Sequence, residues 1–260
     1  MPIAAITGAA QGIGRRTAEL FAERGYALAL FDTQSCAATA AAARRLGTPE
    51  VPLEWQGDVA DAASVAGFAA ALQQRWQRVD VLVNNAGISC IEPFERLPAA
   101  TARRVLEVNV MGPVLLSQAL GRMMLEAASG SIINVASVAG LSGIANRAIY
   151  NASKHGLIGL TSTLAAEWGA RGVRCNAVCP GWVKTEMDDA AQGSGLYTDS
   201  DITSRVPMGR FALPDDVARA IAFLADPAES GFINGVALPV DGGWMADGSW
   251  QTLRLSKRGR

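Results

Sequence analysis

Tyr150 and Lys154 stand four residues apart in a stretch of helical periodicity, so their side chains share one helix face. Ser137 lies upstream, just past an apolar run that reads as a strand. Together these residue types can move a proton at a carbinol. A phenol with an ordinary pKa near 10 is neutral at pH 7. An ammonium one helical turn away, with the cationic ring of an oxidised nicotinamide, favours the phenolate. Lowering that pKa by about three units corresponds to roughly 4 kcal/mol, within reach of two close cations in a partly desolvated pocket. Tyr150 could then accept the proton of a secondary alcohol as hydride leaves to the cofactor, with Ser137 holding the same oxygen. The chain has only three tyrosines, and its lysines are Lys154, Lys184 and Lys257, so the pair draws on two scarce types. Taken by itself, the spacing leaves room for a chance pair on a solvated face.

A second constellation precedes it. The run TGAAQGIG, Thr7 to Gly14, follows an apolar strand and opens an amphipathic helix. Gly8, Gly12 and Gly14 let the backbone turn tightly and approach a ligand. The free N–H groups of the following helix favour a phosphate. Gln11 and Ile13, between the glycines, join them as candidate cofactor contacts. Asp32 ends the second strand, where a dinucleotide-binding unit places an acid on the adenosine ribose. Asp58 and Val59 follow the third strand, and Asn84, Asn85, Ala86 and Gly87 follow the fourth. Both groups fall at carboxyl ends of strands, where open α/β sheets bind ligands.

Positioning these residues takes alternating short apolar runs and longer amphipathic stretches, a rhythm that predicts a parallel sheet flanked by helices. Strands are expected over Ile3–Thr7, Tyr26–Phe31, Pro52–Gln56, Val79–Val83, Ser131–Val135, Arg174–Val178 and Val236–Val240. Helices are expected over about Gly14–Arg24, Cys36–Leu46, Ala62–Trp76, Ala99–Met124, Tyr150–Ala170 and Pro214–Leu224. The reading is α/β: one doubly wound Rossmann domain over residues 1–260, seven parallel strands with helices on both faces. Val183 to Phe211 lacks a clear period and suggests a lid or binding loop. A tail follows from Trp244 to Arg260, its first part expected at a subunit contact or beside a substrate pocket.

Composition narrows the chemistry. The 260 residues carry 23 basic and 24 acidic side chains, a net charge of −1, which gives no reason to expect nucleic acid or an anionic membrane. No apolar run reaches the ~18 residues of a membrane span, and no signal-peptide pattern opens the chain, so a cytoplasmic protein is expected. A single histidine, His155, disfavours a Ser-His-Asp triad and denies a multi-histidine metal site. Cys36, Cys90, Cys175 and Cys179 form no CxxC pair, so no metal is expected. His155 points away from the Lys154 face and reads as structural, and Lys184 as a solvated loop charge. Trp182 and Met187 could wall a pocket or belong to the core. Arg147, three residues before Tyr150, could meet a carboxylate or sugar hydroxyls, or be an ordinary surface arginine.

Jointly the motifs resemble the short-chain dehydrogenases/reductases in their ~250-residue single-domain form. The resemblance spans essentially the whole chain: TGAAQGIG, NNAG at Asn84 to Gly87, Asn109, Ser137, YNASK at Tyr150 to Lys154, and PGWVKT at Pro180 to Thr185. It implies Tyr150 as general acid/base, Ser137 as partner of the substrate oxygen, and Lys154 as pKa modulator and ribose ligand. It implies that Asn109 holds its helix and a water leading from Lys154. It further implies cofactor contacts from Pro180, Gly181, Val183 and Thr185, the last two on the nicotinamide carboxamide. The expected enzyme transfers hydride between NAD and a secondary alcohol or ketone, with a sugar, polyol or sugar acid as leading substrate. A 3-oxoacyl thioester reductase is the alternative, and a non-catalytic dinucleotide sensor a remote one. The longer epimerases and dehydratases that share Tyr-x-x-x-Lys need an extra substrate domain. Helices apolar on nearly every face, Val105–Leu125 and Tyr150–Trp168, predict a homotetramer. Asp32, followed by Thr33 rather than an arginine, predicts NAD over NADP, with Arg15 and Arg16 as the cations that could oppose it.

Overall fold

The computed structural model describes residues 1–185 and 198–249. Seven parallel strands form one sheet in the order β3-β2-β1-β4-β5-β6-β7. They are β1 (Ile3–Thr7), β2 (Ala27–Asp32), β3 (Leu53–Gln56), β4 (Val81–Asn84), β5 (Gly130–Val135), β6 (Val173–Pro180) and β7 (Ala237–Val240). The near-unbroken apolar runs of β1, β2 and β4 are those of strands covered on both faces. On one face lie helices α1 (Gly12–Glu23) and α2 (Ala37–Arg45), whose Leu20, Phe21 and Ala40 pack with Ile6 and Leu30. On the other lie α3 (Ala62–Trp76), α5 (Gly112–Glu126) and α6 (Ala148–Trp168), whose Phe68, Leu116 and Leu164 pack with Ala5 and Phe31. The strand order reverses between β1 and β4, so the loops that leave them diverge and open a crevice at their carboxyl ends.

Most expected elements are present, with shifted ends. Tyr26 precedes β2 rather than starting it and stacks on Phe21 at 4.8 Å. The helix expected over Ala99–Met124 is not continuous. It runs as α4 (Ala99–Leu106), then a π turn over Glu107–Met111, then α5. Pro113 is the physical reason, since it lacks the N–H that would bond the Asn109 carbonyl in an α-helix. The stretch expected to be irregular contains a short helix α7 (Asp199–Thr203), opened by a capping box between Thr198 and Asp201. Helix α8 (Pro214–Ala225) closes the first face against α1. Met187 and the remainder of the expected loop, 186–197, lie outside the described residues, as does the tail from 250 onward. Trp244, at the start of that tail, stacks on Trp182 at 4.2 Å and takes the Arg205 guanidinium on its ring.

Candidate active site

A cavity of about 400 Å³ fills the crevice, within the range of small-ligand sites. Its lining joins the expected residues Gly8, Gln11, Gly12, Ile13, Asp32 and Asp58 with Val59, Asn85, Ala86, Gly87 and Thr185. Gly8 needs its freedom: its φ is +63°, and a Cβ there would stand 2.8 Å from Asn85 Nδ2. Gly14 does not line the cavity but permits the turn, because a Cβ would meet the Gly8 carbonyl at 2.0 Å. Gln11 leaves the first turn of α1 without a side-chain cap, so backbone N–H groups at this helix start remain available to an anion.

Pins behind the loop hold its shape. The Thr7 hydroxyl accepts from the backbone N–H groups of Asn85 and Ala86, each at 3.0 Å. Asn85 Nδ2 donates to the carbonyls of Thr7 and Gly8 at 3.0 Å. The neighbouring Asn84 is buried instead, donating to Asn134 Oδ1 at 2.8 Å inside the core. Asp32 Oδ2 accepts from Ala10 N and Oδ1 from Gln34 N, fixing the carboxylate at the cavity rim.

Ser137, Tyr150 and Lys154 meet beyond Gly87, outside the cavity lining itself. Ser137 follows β5 and caps a short 3-10 turn, its Oγ accepting from Ala139 N at 3.1 Å. Tyr150 and Lys154 lie in α6, with the Lys154 ammonium 5.7 Å from the centre of the Tyr150 ring. Lys154 is 4% exposed, and its Nζ donates to the Val135 carbonyl at 2.8 Å. Gly87 joins the two ends: it lines the cavity, and a Cβ on it would lie 3.5 Å from Lys154 Nζ. Asn109 braces this junction from the π turn. Its Oδ1 accepts from Ile88 N, and its Nδ2 donates to Ile88 O and Ser153 Oγ.

The electrostatics correct one expectation. Burial holds the Tyr150 phenol above its ordinary value, while its interaction with Ser137 and the charge of Arg147 pull it down. Lys154 does not produce the expected net lowering. Its own buried ammonium is depressed to about 8, so desolvation outweighs the pairing. The Cys179 thiol, at the end of β6, is pushed up to about 11 by burial, with Ser137 and the Lys154 charge opposing.

Pro180, Gly181 and Val183 do not line the cavity. Val183 forms a bridge to Ala212, and Gly181 packs against Asp241. Six lining residues escaped the sequence reading: Thr33, Gln34, Gly57, Ile88, Arg104 and Val108. The first four sit beside motif residues and were open to inference. Arg104 lies in α4 and Val108 in the π turn that follows it, and no motif marks either. His155 is structural as expected, its Nδ1 donating to the Asn151 carbonyl at 2.9 Å. Lys184 pairs with Asp199 at 3.2 Å.

Residues 8–245 match the family described as enoyl-(acyl carrier protein) reductase. D-Threitol dehydrogenase of Mycolicibacterium smegmatis is 41% identical over 242 residues, covering 93% of this chain and 92% of the relative. A 3-oxoacyl-[acyl-carrier-protein] reductase of Synechocystis is 36% identical over 244 residues, covering 94% and 96%. A crystal structure from Beutenbergia cavernae, described as an NAD(P)-dependent gluconate 5-dehydrogenase with NADP bound at low occupancy, superposes with a TM-score of 0.88. It shares 38% identity and covers 95% of this chain and 97% of its own. The chain belongs to the short-chain dehydrogenase/reductase family, oxidoreductases that bind a nicotinamide dinucleotide.

Proposed function

We propose that this chain is an NAD-dependent dehydrogenase that oxidises a secondary alcohol on a small polyhydroxylated substrate, a polyol, sugar or sugar acid. One observation carries the reading: Ser137, Tyr150 and Lys154 converge beside a cavity whose far rim holds Asp32. The residues fit a dinucleotide. The uncapped start of α1 and the glycine turn suit a pyrophosphate, Asp32 suits a ribose diol, and Thr185 suits a carboxamide. When bound, the nicotinamide supplies the hydride acceptor. Ser137 donates a hydrogen bond to the carbinol oxygen and keeps it facing Tyr150. Tyr150 takes the hydroxyl proton. Lys154 would contact the ribose, and Asn109 keeps the Ile88 loop against the site.

NAD is favoured over NADP because the cations near the turn are already engaged. Arg15 pairs with Glu19 at 3.0 Å, and Arg16 with Glu23 at 3.0 Å and Asp215 at 2.7 Å. Arg104, the one cation lining the cavity among the described residues, pairs with Asp58 at 2.6 Å. The test is a substrate panel offered with each cofactor and followed by NADH absorbance. Turnover of polyols or sugar acids with NAD supports the reading, and turnover confined to 3-oxoacyl thioesters replaces it. That second reading draws its support from the matched family's description and from the Synechocystis relative.

The proposed assembly is a homotetramer. Ala152, Gly156, Gly159 and Thr163 form an exposed stripe of small side chains on α6, and Leu106 and Met111 stand 38% and 42% exposed next to the π turn. Light scattering at micromolar concentration checks this, and a monomer refutes it.

A further inference from the structure

Arg147 stands immediately before α6, and its guanidinium Nη1 donates to Ser89 Oγ at 3.1 Å. Ser89 follows Ile88, which lines the cavity and is gripped by both ends of the Asn109 amide. The loops that carry the pair are tied together by Glu92 N donating to Asn146 O at 2.8 Å. Arg147 is therefore tied to the residue that follows the cavity-lining Ile88, three residues before Tyr150, and its charge is felt at the phenol.

Arg147 and Arg174 are both half-buried without a carboxylate partner, but Arg174 is held by the carbonyls of Ile233, Leu224 and Ala225, whereas Arg147 has only the Ser89 hydroxyl. Arg15, Arg16, Arg104 and Arg219 each reach a carboxylate within 4 Å. Arg147 reaches a neutral hydroxyl, and among the described residues no carboxylate lies within that distance. A guanidinium carries five N–H donors in a planar fork that matches a carboxylate. Holding it half-buried with one neutral acceptor leaves most of that capacity unused and its charge uncompensated.

We propose that Arg147 binds a carboxylate of the substrate, so that the physiological substrate is a hydroxy acid or sugar acid rather than a neutral polyol. This rests on the dehydrogenase reading above and narrows it. It also weighs against a carrier-bound thioester. The phosphate of a pantetheine arm lies many bonds from the reacting carbon, whereas Arg147 can serve only an anion close to the carbinol.

The experiment compares matched pairs, D-threonate with D-threitol and D-gluconate with D-glucitol, on wild type, Arg147→Met and Arg147→Lys, using NAD. Wild type is expected to favour the acid at least tenfold in kcat/KM. Arg147→Met should raise the KM of the acid 10- to 100-fold and leave the polyol's KM within twofold, and Arg147→Lys should recover part of the loss. A second readout needs no turnover: calorimetric titration of the acid into enzyme holding NADH should show the same selective weakening in Arg147→Met. A polyol used as well as its acid overturns the inference while the dehydrogenase reading stands. An equal rise in KM for acid and polyol in Arg147→Met also overturns it, since that marks an arginine that does not read the carboxylate. Failure to oxidise either compound overturns both.

Discussion

At the β1–β4 end of the cleft, position is set by the backbone. Gly8 and Gly14 admit no Cβ, and the Thr7 hydroxyl and Asn85 amide tie the loops to one another. At the β5–α6 end, position is set by side chains whose charges are burdened by burial. Tyr150 is held above its ordinary pKa and Lys154 depressed to about 8. The first end recognises a shape shared by many ligands and can be rigid. On the proposed mechanism the second changes protonation during turnover, and there burial disfavours the charged form of both groups, moving Lys154 towards neutrality and Tyr150 away from it.

Removing the phenol is the sharpest way to break this contrast. Tyr150→Phe keeps the ring and deletes the acid/base group, so kcat should fall by about 10² to 10⁴. NAD affinity, governed by the other end, should stay within about twofold by fluorescence titration. A variant retaining more than about a tenth of wild-type kcat would place proton transfer elsewhere.

Lys154→Met tests whether burial truly burdens this end. With a folded pKa of about 8 against an ordinary 10.5, the folded protein releases the proton before the unfolded chain does. The unfolded state then binds more protons between those values, so wild-type stability rises with pH across that window. Below about pH 8 both states are protonated and the penalty of the buried charge is fully present. Lys154→Met should therefore be more stable than wild type near pH 7, by up to about 3 kcal/mol, and the gap should close towards pH 10.5. The Cys179 thiol, pushed up to about 11, drives stability the opposite way above pH 9. Because the Lys154 charge opposes that rise, the thiol does not cancel in the difference, and the comparison is read below about pH 9. Urea titrations at several pH values measure the gap, and a pH-independent difference would show that Lys154 carries no such burden.

The same contrast explains what could be read from the sequence. TGAAQGIG, NNAG and Asp32 are local patterns whose backbone consequences follow from residue type, and the cavity lining contains most of them. The sheet was legible for a similar reason, since strands covered on both faces must be apolar throughout. The π turn was not, because one missing N–H at Pro113 decides it within a helical periodicity that otherwise continues. The direction of the Tyr150 shift was not legible either. Spacing places Lys154 near the phenol, but only packing reveals that the ammonium is buried and committed to Val135. The unpaired state of Arg147 depends in the same way on which carboxylates fail to approach it.

Gly14→Ala sharpens the comparison at the rigid end. Its Cβ would lie 2.0 Å from the Gly8 carbonyl and 2.6 Å from Asn85 Nδ2, atoms that cannot yield without moving the loop. Overpacking of this kind typically costs about 1–3 kcal/mol, so both Tm and NAD affinity should fall, the latter about tenfold. Gly143→Ala, where nothing lies within 4 Å, is the control beside the substrate end and should leave NAD affinity unchanged. Equal effects of the two substitutions would remove the claim that the rigidity is local to the glycine turn.

Asp32 offers the smallest effect and the finest distinction. Its carboxylate is already oriented by Ala10 N and Gln34 N, so on the proposed reading it would meet the adenosine ribose without reordering. Towards a 2′-hydroxyl it is an acceptor, and hydrogen bonds to a charged group contribute about 1.5–3 kcal/mol. Towards a 2′-phosphate it is a like charge, at roughly 4 kcal/mol per unit pair 4 Å apart for an effective dielectric near 20. Arg15 and Arg16 would have to leave Glu19, Glu23 and Asp215 to offset that. Wild type should therefore prefer NAD at least tenfold in kcat/KM. Asp32→Ala should shrink the ratio mainly by improving NADP, since repulsion is the larger of the two contributions. If the ratio shrinks only because NAD worsens, the carboxylate acts by attraction alone and the engaged arginines already neutralise the phosphate. Equal use of both cofactors by wild type would mean that those ion pairs open when NADP binds.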